Sequence, residues 1–297
     1  MAAELTEDQT MIVETARAFA QERLRPNAAR WEDEGLDRGV LEELAQLGFA
    51  GIYVREEHGG SGLTRHDAAL IFEELSRGCI STAAFLSIHN MCAWMIDSFG
   101  NEDQRAQWLP QLTSMQKIAS YCLTEPGAGS DAANLKTKAT RDGDHYVVNG
   151  AKTFITSGAR ADFVTTAVRT GGTGHAGISM LVIERGTPGF SVGKKLRKTG
   201  WWASDTAELH FDGCRVPMVN RIGTENGAFP MIMMNFASER LMLVGPATLT
   251  PAITRPSRPK MGAATQRRPG KISSSSIDQP RERTRRRSAR SASTLVS

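Results

Sequence analysis

The hydrophobic period of this sequence changes near residue 121, and that change constrains the fold more than any other feature. Before it, apolar residues recur at the spacing of amphipathic helices. After it come short runs rich in β-forming residues, each bounded by Gly, Pro or Asp. Closely spaced strands without intervening helices favour an antiparallel sheet. We therefore predict an α+β fold: an N-terminal helical domain, a middle antiparallel β-barrel-like domain and a truncated C-terminal helical domain.

Local signals predict the helical elements. Thr6 and Gln9 have the spacing of a capping box, and Gly48 is placed to end a helix. Further helices are predicted over Asp67–Leu75, Ala83–Phe99 and Phe229–Leu243, the last with Met231, Met234, Ser238 and Leu241 on one face. His89 lies in the apolar second of these, which predicts a buried core histidine rather than a ligand.

Turn dipeptides predict the strand boundaries. Asp142-Gly143 and Asn149-Gly150 favour tight turns that bracket a short strand at 145–148. The remaining predicted strands are 121–124, 153–156, 163–168, 178–183 and 207–211.

Charge divides the chain at Pro246. Residues 247–297 carry ten Arg and two Lys against Asp278 and Glu282, a net charge of +10, whereas the whole chain carries +4, so the rest carries −6. This tail has no aromatic residue and no sustained apolar period, which predicts disorder. Nucleic-acid binding through the tail stays a disfavoured alternative, because aromatic residues for base stacking are missing.

Four scattered cysteines without metal-ligand spacing predict a reduced compartment and no metal site. The acidic N-terminus has no long apolar run, so we expect a cytoplasmic protein that does not enter a membrane.

The stretch "YCLTEPGAGSD" (121–131) combines a strand-like run with a turn rich in Pro and Gly. Such turns expose backbone N–H groups that can bind an anion such as a pyrophosphate, although most are simple loops. From the residues alone both interpretations stay open.

Together with "KTFITSG" (152–158) and "FDGCRVP" (211–217), this stretch resembles the acyl-CoA dehydrogenase family over about residues 5–246. Segments 87–105 and 120–135 look most like the isobutyryl-CoA subfamily. The resemblance implies a helical domain over 1–117, a flavin-binding β domain over 118–225 and the start of a helical domain over 226–246, before the tail at 247–297. Because the family continues with a four-helix bundle after about residue 246, we expect a truncated or frame-shifted product.

The resemblance also implies a bound FAD. Its contacts would come from Tyr121, Leu123, Thr124, Gly129 and Ser130 in the first segment and from Phe154, Ile155 and Thr156 in the second. Ser130 would also lie near the substrate thioester, and Phe154 would cover one face of the flavin ring. From the sequence alone, the favoured interpretation of Phe154 is an ordinary core-facing strand residue.

The implied reaction is α,β-dehydrogenation of a short or branched acyl-CoA, with electrons passing to an electron-transferring flavoprotein. "NFASERLMLVGPA" (235–247) resembles the segment that carries the catalytic Glu in the isovaleryl-CoA and long-chain types. That match makes Glu239 the expected base, with Phe236 and Arg240 as substrate contacts; the alternative is a Glu on a solvated helix face. The family implies a homotetramer. An acyl-CoA oxidase and a catalytically inactive flavin- or acyl-CoA-binding fragment remain alternatives.

Overall fold

The computed structural model describes residues 4–237, 239 and 240, beginning with a helical layer. Its α-helices are α1 (Glu7–Phe19), α2 (Ala28–Glu34), α3 (Arg38–Gln46), α4 (Arg65–Gly78), α5 (Ile80–Phe99) and α6 (Glu102–Thr113), and a π-helical turn (Ala20–Leu24) follows α1. The capping box at Thr6 is confirmed, and Gly48 adopts a left-handed conformation just after α3. Sequence patterns missed α2 and α6, although Asn101 and Gln104 form a capping box at the start of α6.

Helix α5 joins the helical layer to the sheet through His89. The ring is fully buried; its Nε2 lies 3.0 Å from the Leu112 carbonyl oxygen and its Nδ1 lies 3.1 Å from the Ala119 amide nitrogen. Burial lowers the pKa of His89 to about 4, so the ring is neutral at physiological pH. The prediction of a core histidine is confirmed.

The β domain follows directly. Its strands are β1 (Ala119–Cys122), β2 (Lys138–Asp142), β3 (His145–Thr156), β4 (Phe163–Arg169), β5 (Ile178–Glu184), β6 (Phe190–Lys195), β7 (Thr206–Pro217) and β8 (Arg221–Ile222). They pair in the order β6-β7-β3-β2-β4-β5-β8, and β1 pairs with β4. The β1–β4 and β2–β4 pairings are parallel and the others antiparallel. The α+β fold class is confirmed.

The predicted turn at Asn149-Gly150 is wrong. β3 runs through it, and the register with β7 shifts between Val148 and Gly150. Gly150 has φ +152°, and a Cβ there would lie 2.6 Å from the Thr137 Oγ1. Gly150 therefore allows a β-bulge and lets Thr137 approach closely; it does not reverse the chain.

Residues 228–237 form a further helix, α7, and residues 239 and 240 are also helical. The residues predicted to share one face differ in burial: Met231 is buried, but Met234 is 54% exposed. The core-facing side also includes Ala228, Ile232 and Asn235, because these residues follow helical spacing from Met231. Ser238, Leu241 and the tail at 247–297 lie outside the described residues.

No helix in the described part of the chain is long and apolar enough to cross a membrane. The four cysteines are buried and free of disulfide bonds.

Candidate functional site

The two segments predicted to contact a flavin lie side by side. The Thr153 amide donates to the Thr124 carbonyl over 2.9 Å, and the Ser120 hydroxyl donates to the Thr156 carbonyl. Tyr121 and Leu123 are buried, while Thr124 and Thr156 are partly exposed. The fold thus brings the end of β1 and the end of β3 to a common edge.

A tight turn follows β1. Glu125 and Ala128 exchange backbone hydrogen bonds of 2.9 and 3.2 Å, and Gly129 and Ser130 come next, both exposed. Neither Gly127 nor Gly129 has a positive φ, so this turn does not use the left-handed conformations that glycine allows. A Cβ on either would meet no atom of the chain within 4 Å, so their absent side chains leave the backbone N–H groups accessible to a ligand.

Phe154 points away from the core. Its φ is +58°, the register with β7 shifts between Lys152 and Ile155, and its side chain is 68% exposed. The alternative that Phe154 is a core-facing strand residue is therefore wrong. Ile155, the next residue, is only 2% exposed and packs inward, away from the edge that Phe154 faces.

A buried ion pair lies beneath these two segments and was missed from the sequence. Lys152 is fully buried, and its Nζ lies 2.9 Å from Glu125 Oε1. Burial alone would raise the pKa of Glu125, but the Lys152 ammonium and the groups donating at Thr137 and Lys136 bring it below its ordinary value. The only sequence signal was a charged residue within each of the two motifs.

Glu239 is half-buried just beyond α7. Burial raises the pKa of its carboxyl group, and the neighbouring Arg240 opposes that shift. Burial chiefly, and the Glu239 charge to a smaller degree, raise the pKa values of Tyr53, Cys92 and Tyr121. The carboxylate therefore lies within electrostatic range of β1, and the alternative of a fully solvated Glu does not hold.

The aromatic rings of Phe236 and Tyr121 pack α7 against the end of β1. Their centroids are 6.5 Å apart in an edge-on arrangement. Glu239, the predicted base, and Phe236, a predicted substrate contact, therefore lie on the helical segment that packs against the 121–131 segment. Ser130 and Arg240 are exposed, and no hydrogen bond joins either of them to this group among the described residues.

A second polar group near Glu239, Asn235, was not predicted, whereas Tyr121 was. Among the residues that the structure describes, the Tyr121 hydroxyl and both side-chain amide atoms of the fully buried Asn235 have no hydrogen-bond partner. Asn235 lies one helical turn before Glu239, the spacing that places two residues on one helix face. A buried polar group without a partner calls for an explanation, and a ligand that supplies the partner is one.

An isoalloxazine ring fits this edge of the molecule. It needs an apolar face and nearby hydrogen-bonding groups, which Phe154, Thr124 and Thr156 provide. Within residues 4–237, 239 and 240, no three His, Cys, Asp or Glu side chains group as metal ligands.

Comparisons with known proteins agree with this arrangement. Models of the acyl-CoA dehydrogenase N-terminal domain and middle domain match residues 6–116 and 120–214. A mitochondrial isobutyryl-CoA dehydrogenase of Dictyostelium discoideum is 54% identical over 77% of this chain and 56% of its own length. The Bos taurus enzyme of the same description is 48% identical over 80% of this chain and 57% of its own.

A solved structure gives the same result. The crystal structure of a probable acyl-CoA dehydrogenase from Mycobacterium abscessus superposes with a TM-score of 0.81 at 44% identity, covering 84% of this chain and 68% of that one. The chain belongs to the acyl-CoA dehydrogenase family. It spans a little over half the length of the two isobutyryl-CoA dehydrogenases.

Proposed function

We propose that this chain carries the flavin-binding half and the catalytic base of an acyl-CoA dehydrogenase acting on a short, branched acyl-CoA. The observation that carries the proposal is the half-buried Glu239 carboxyl, whose pKa is raised by burial, on the helical segment whose Phe236 ring packs against Tyr121 of the first flavin segment. The similarity to two isobutyryl-CoA dehydrogenases supports a branched four-carbon acyl group.

The chemistry needs a base of this kind. The thioester carbonyl acidifies the α-proton, and Glu239 accepts that proton as a carboxylate. A raised pKa makes the carboxylate a stronger base near neutral pH, because desolvation disfavours its charged form. FAD, when bound, supplies the two-electron acceptor for the hydride that leaves the β-carbon. Phe236 and Tyr121 would exclude water from the acyl group.

The cofactor would be held by the residues that the resemblance assigns. Tyr121, Leu123 and Thr124 would hold the ring from β1, with Phe154, Ile155 and Thr156 from β3, while Gly129 and Ser130 would meet the pyrophosphate. One similar solved structure, at 30% identity and a TM-score of 0.79, is described as an FAD complex of PigA, which supports FAD here.

The finer assignments are also proposals. We propose Ser130, Phe236 and Arg240 as substrate contacts, an electron-transferring flavoprotein as the electron acceptor, a homotetramer for the longer family architecture and a cytoplasmic location. The domain boundaries at 117, 225 and 246 stay predictions.

The test is a visible spectrum of the full chain with FAD, recorded before and after anaerobic addition of isobutyryl-CoA. We expect the flavin band to appear and then bleach. In Glu239→Gln the band should appear without bleaching, while the control Glu184→Gln, at an exposed carboxylate at the end of β5, should bleach normally. Bleaching of Glu239→Gln at the rate of the unsubstituted chain would remove Glu239 from the mechanism.

The same experiment separates the alternatives. A flavin band in the unsubstituted chain that never bleaches would indicate an inactive binding fragment. Peroxide formed in air at the rate of substrate turnover would indicate an oxidase.

A further inference from the structure

Glu125 and Lys152 form an ion pair with each other, and both also form hydrogen bonds with backbone groups. Lys152 Nζ donates to the Leu123 carbonyl oxygen and to Glu125 Oε1, each over 2.9 Å. One ammonium on β3 therefore holds the segment that follows β1 and the first residue of the Pro-Gly turn. Leu123 is itself one of the proposed flavin contacts.

Glu125 extends this connection to the start of β2. Its Oε2 accepts from the Lys136 amide over 2.6 Å, and its Oε1 accepts from the Thr137 amide over 2.9 Å. Thr137 can approach because Gly150 lacks a side chain. Three separate stretches of chain thus converge on one carboxylate.

Lys152 and Phe154 lie on opposite sides of an irregularity in β3. Residues two apart in a regular strand point to the same face. Lys152 is fully buried and Phe154 is 68% exposed, so the bulge between them reverses the side-chain direction. Two hydrogen bonds hold Lys152 inward on one side of the bulge, and the Phe154 ring points outward on the other.

Stability alone does not explain a buried ion pair. A well-packed apolar pair of similar volume is often equally stable, since desolvation of two charges offsets their attraction. What an apolar pair cannot do is bind the Leu123 carbonyl and the amides of Lys136 and Thr137. The pair therefore supplies directional contacts to the backbone that borders the proposed flavin edge.

We propose that Glu125 and Lys152 are positioning residues for FAD, holding the Leu123–Thr124 backbone and the Phe154 ring in the geometry that binds the flavin. This inference rests on the proposed function. Neither residue touches the flavin in this scheme; each acts through Leu123, Thr124 or Phe154.

The test compares Lys152→Met, Glu125→Gln and the double variant in the full chain. The dissociation constant for FAD is measured by flavin fluorescence, the bound flavin by its visible spectrum, and folding by urea titration without FAD. Arg215→Met is the matched control, because it breaks the exposed ion pair with Asp142 in the same domain.

We expect each single variant to unfold at lower urea concentration, because it leaves one buried charge without its partner. The double variant should recover part of that loss, because no unpaired buried charge remains. It should still bind FAD about tenfold more weakly and with a shifted spectrum, since the Leu123 carbonyl lacks its ammonium donor and Glu125→Gln leaves one acceptor oxygen for the two amides of Lys136 and Thr137. Arg215→Met should match the unsubstituted chain in all three measurements.

Two outcomes would overturn the inference in different ways. If the unsubstituted chain binds FAD and the folded double variant binds it equally well with the same spectrum, the positioning role is refuted and the proposed function stands. If the folded, unsubstituted chain stays colourless in excess FAD, the proposed function fails and the positioning role fails with it.

Discussion

Replacing Phe154 with asparagine tests separately what this residue contributes to the stability of the fold and to the proposed binding of FAD. The residue has φ +58°, a conformation that costs a bulky side chain about 1–2 kcal/mol and that asparagine tolerates. The Phe154 side chain is 68% exposed, so only about a third of it is buried. Because full burial of Phe contributes about 1.5–3 kcal/mol, the substitution removes about 0.5–1 kcal/mol of packing.

Relief of the strained backbone therefore equals or exceeds the loss of packing. We expect the free energy of unfolding of Phe154→Asn, measured by urea titration without FAD, to be unchanged or up to about 1.5 kcal/mol higher. The aromatic contact with a flavin is worth about 0.5–1.5 kcal/mol, so FAD should bind about 2- to 10-fold more weakly, measured by flavin fluorescence.

A core aromatic residue of the same domain provides the control. Phe163 is 4% exposed, and Phe163→Ala should lose about 3–5 kcal/mol of stability. A comparable loss in Phe154→Asn would show that Phe154 packs as a core residue. An unchanged FAD affinity would show that its ring does not touch the flavin.

Two further predictions follow from the same region. Since burial raises the pKa of Glu239, the folded chain holds a proton there to higher pH than the unfolded chain does, so this carboxyl costs stability as pH rises. Glu239→Gln should therefore raise the melting temperature at pH 8 and leave it nearly unchanged at pH 4; equal shifts at both pH values would contradict the burial of the carboxyl. Gly150→Ala should lose about 1–3 kcal/mol in urea titration, because its Cβ would lie 2.6 Å from Thr137 Oγ1 and 2.7 Å from Thr137 Cα. Gly172→Ala, where a Cβ meets no atom within 4 Å, is the control, and equal stability of the two variants would refute the close approach.

Local signals predicted what local physics determines. The Thr6 capping box and the helical period of α5 depend on residues a few positions apart, and both were correct. Asn149-Gly150 misled because the dipeptide favours any place where the backbone must depart from a regular strand, and a bulge satisfies that preference as well as a turn does.

The site was predictable only where a motif carried it. The resemblance identified Tyr121, Phe154 and Glu239, and the fold gives each the exposure or surroundings that its proposed role needs. The pair of Glu125 and Lys152 depends instead on how the fold brings together a turn residue and a strand residue 27 positions apart, which no local pattern reports. Asn235 likewise becomes informative only once it is known to be buried with no hydrogen-bond partner among the described residues.

The junction at His89 gives the molecule a sensitivity to acid. A carbonyl can only accept, so the Leu112 contact requires hydrogen on Nε2 and leaves Nδ1 to receive the Ala119 amide. If His89 took up a second proton on Nδ1, that N–H would face the Ala119 N–H, and the hydrogen bond between the helices and the sheet would be lost. Burial lowers the pKa of His89 from the ordinary 6.5 to about 4, so unfolding takes up a proton between these two pH values. Acidification through that interval therefore lowers the free energy of unfolding and weakens the contact between the helices and the sheet.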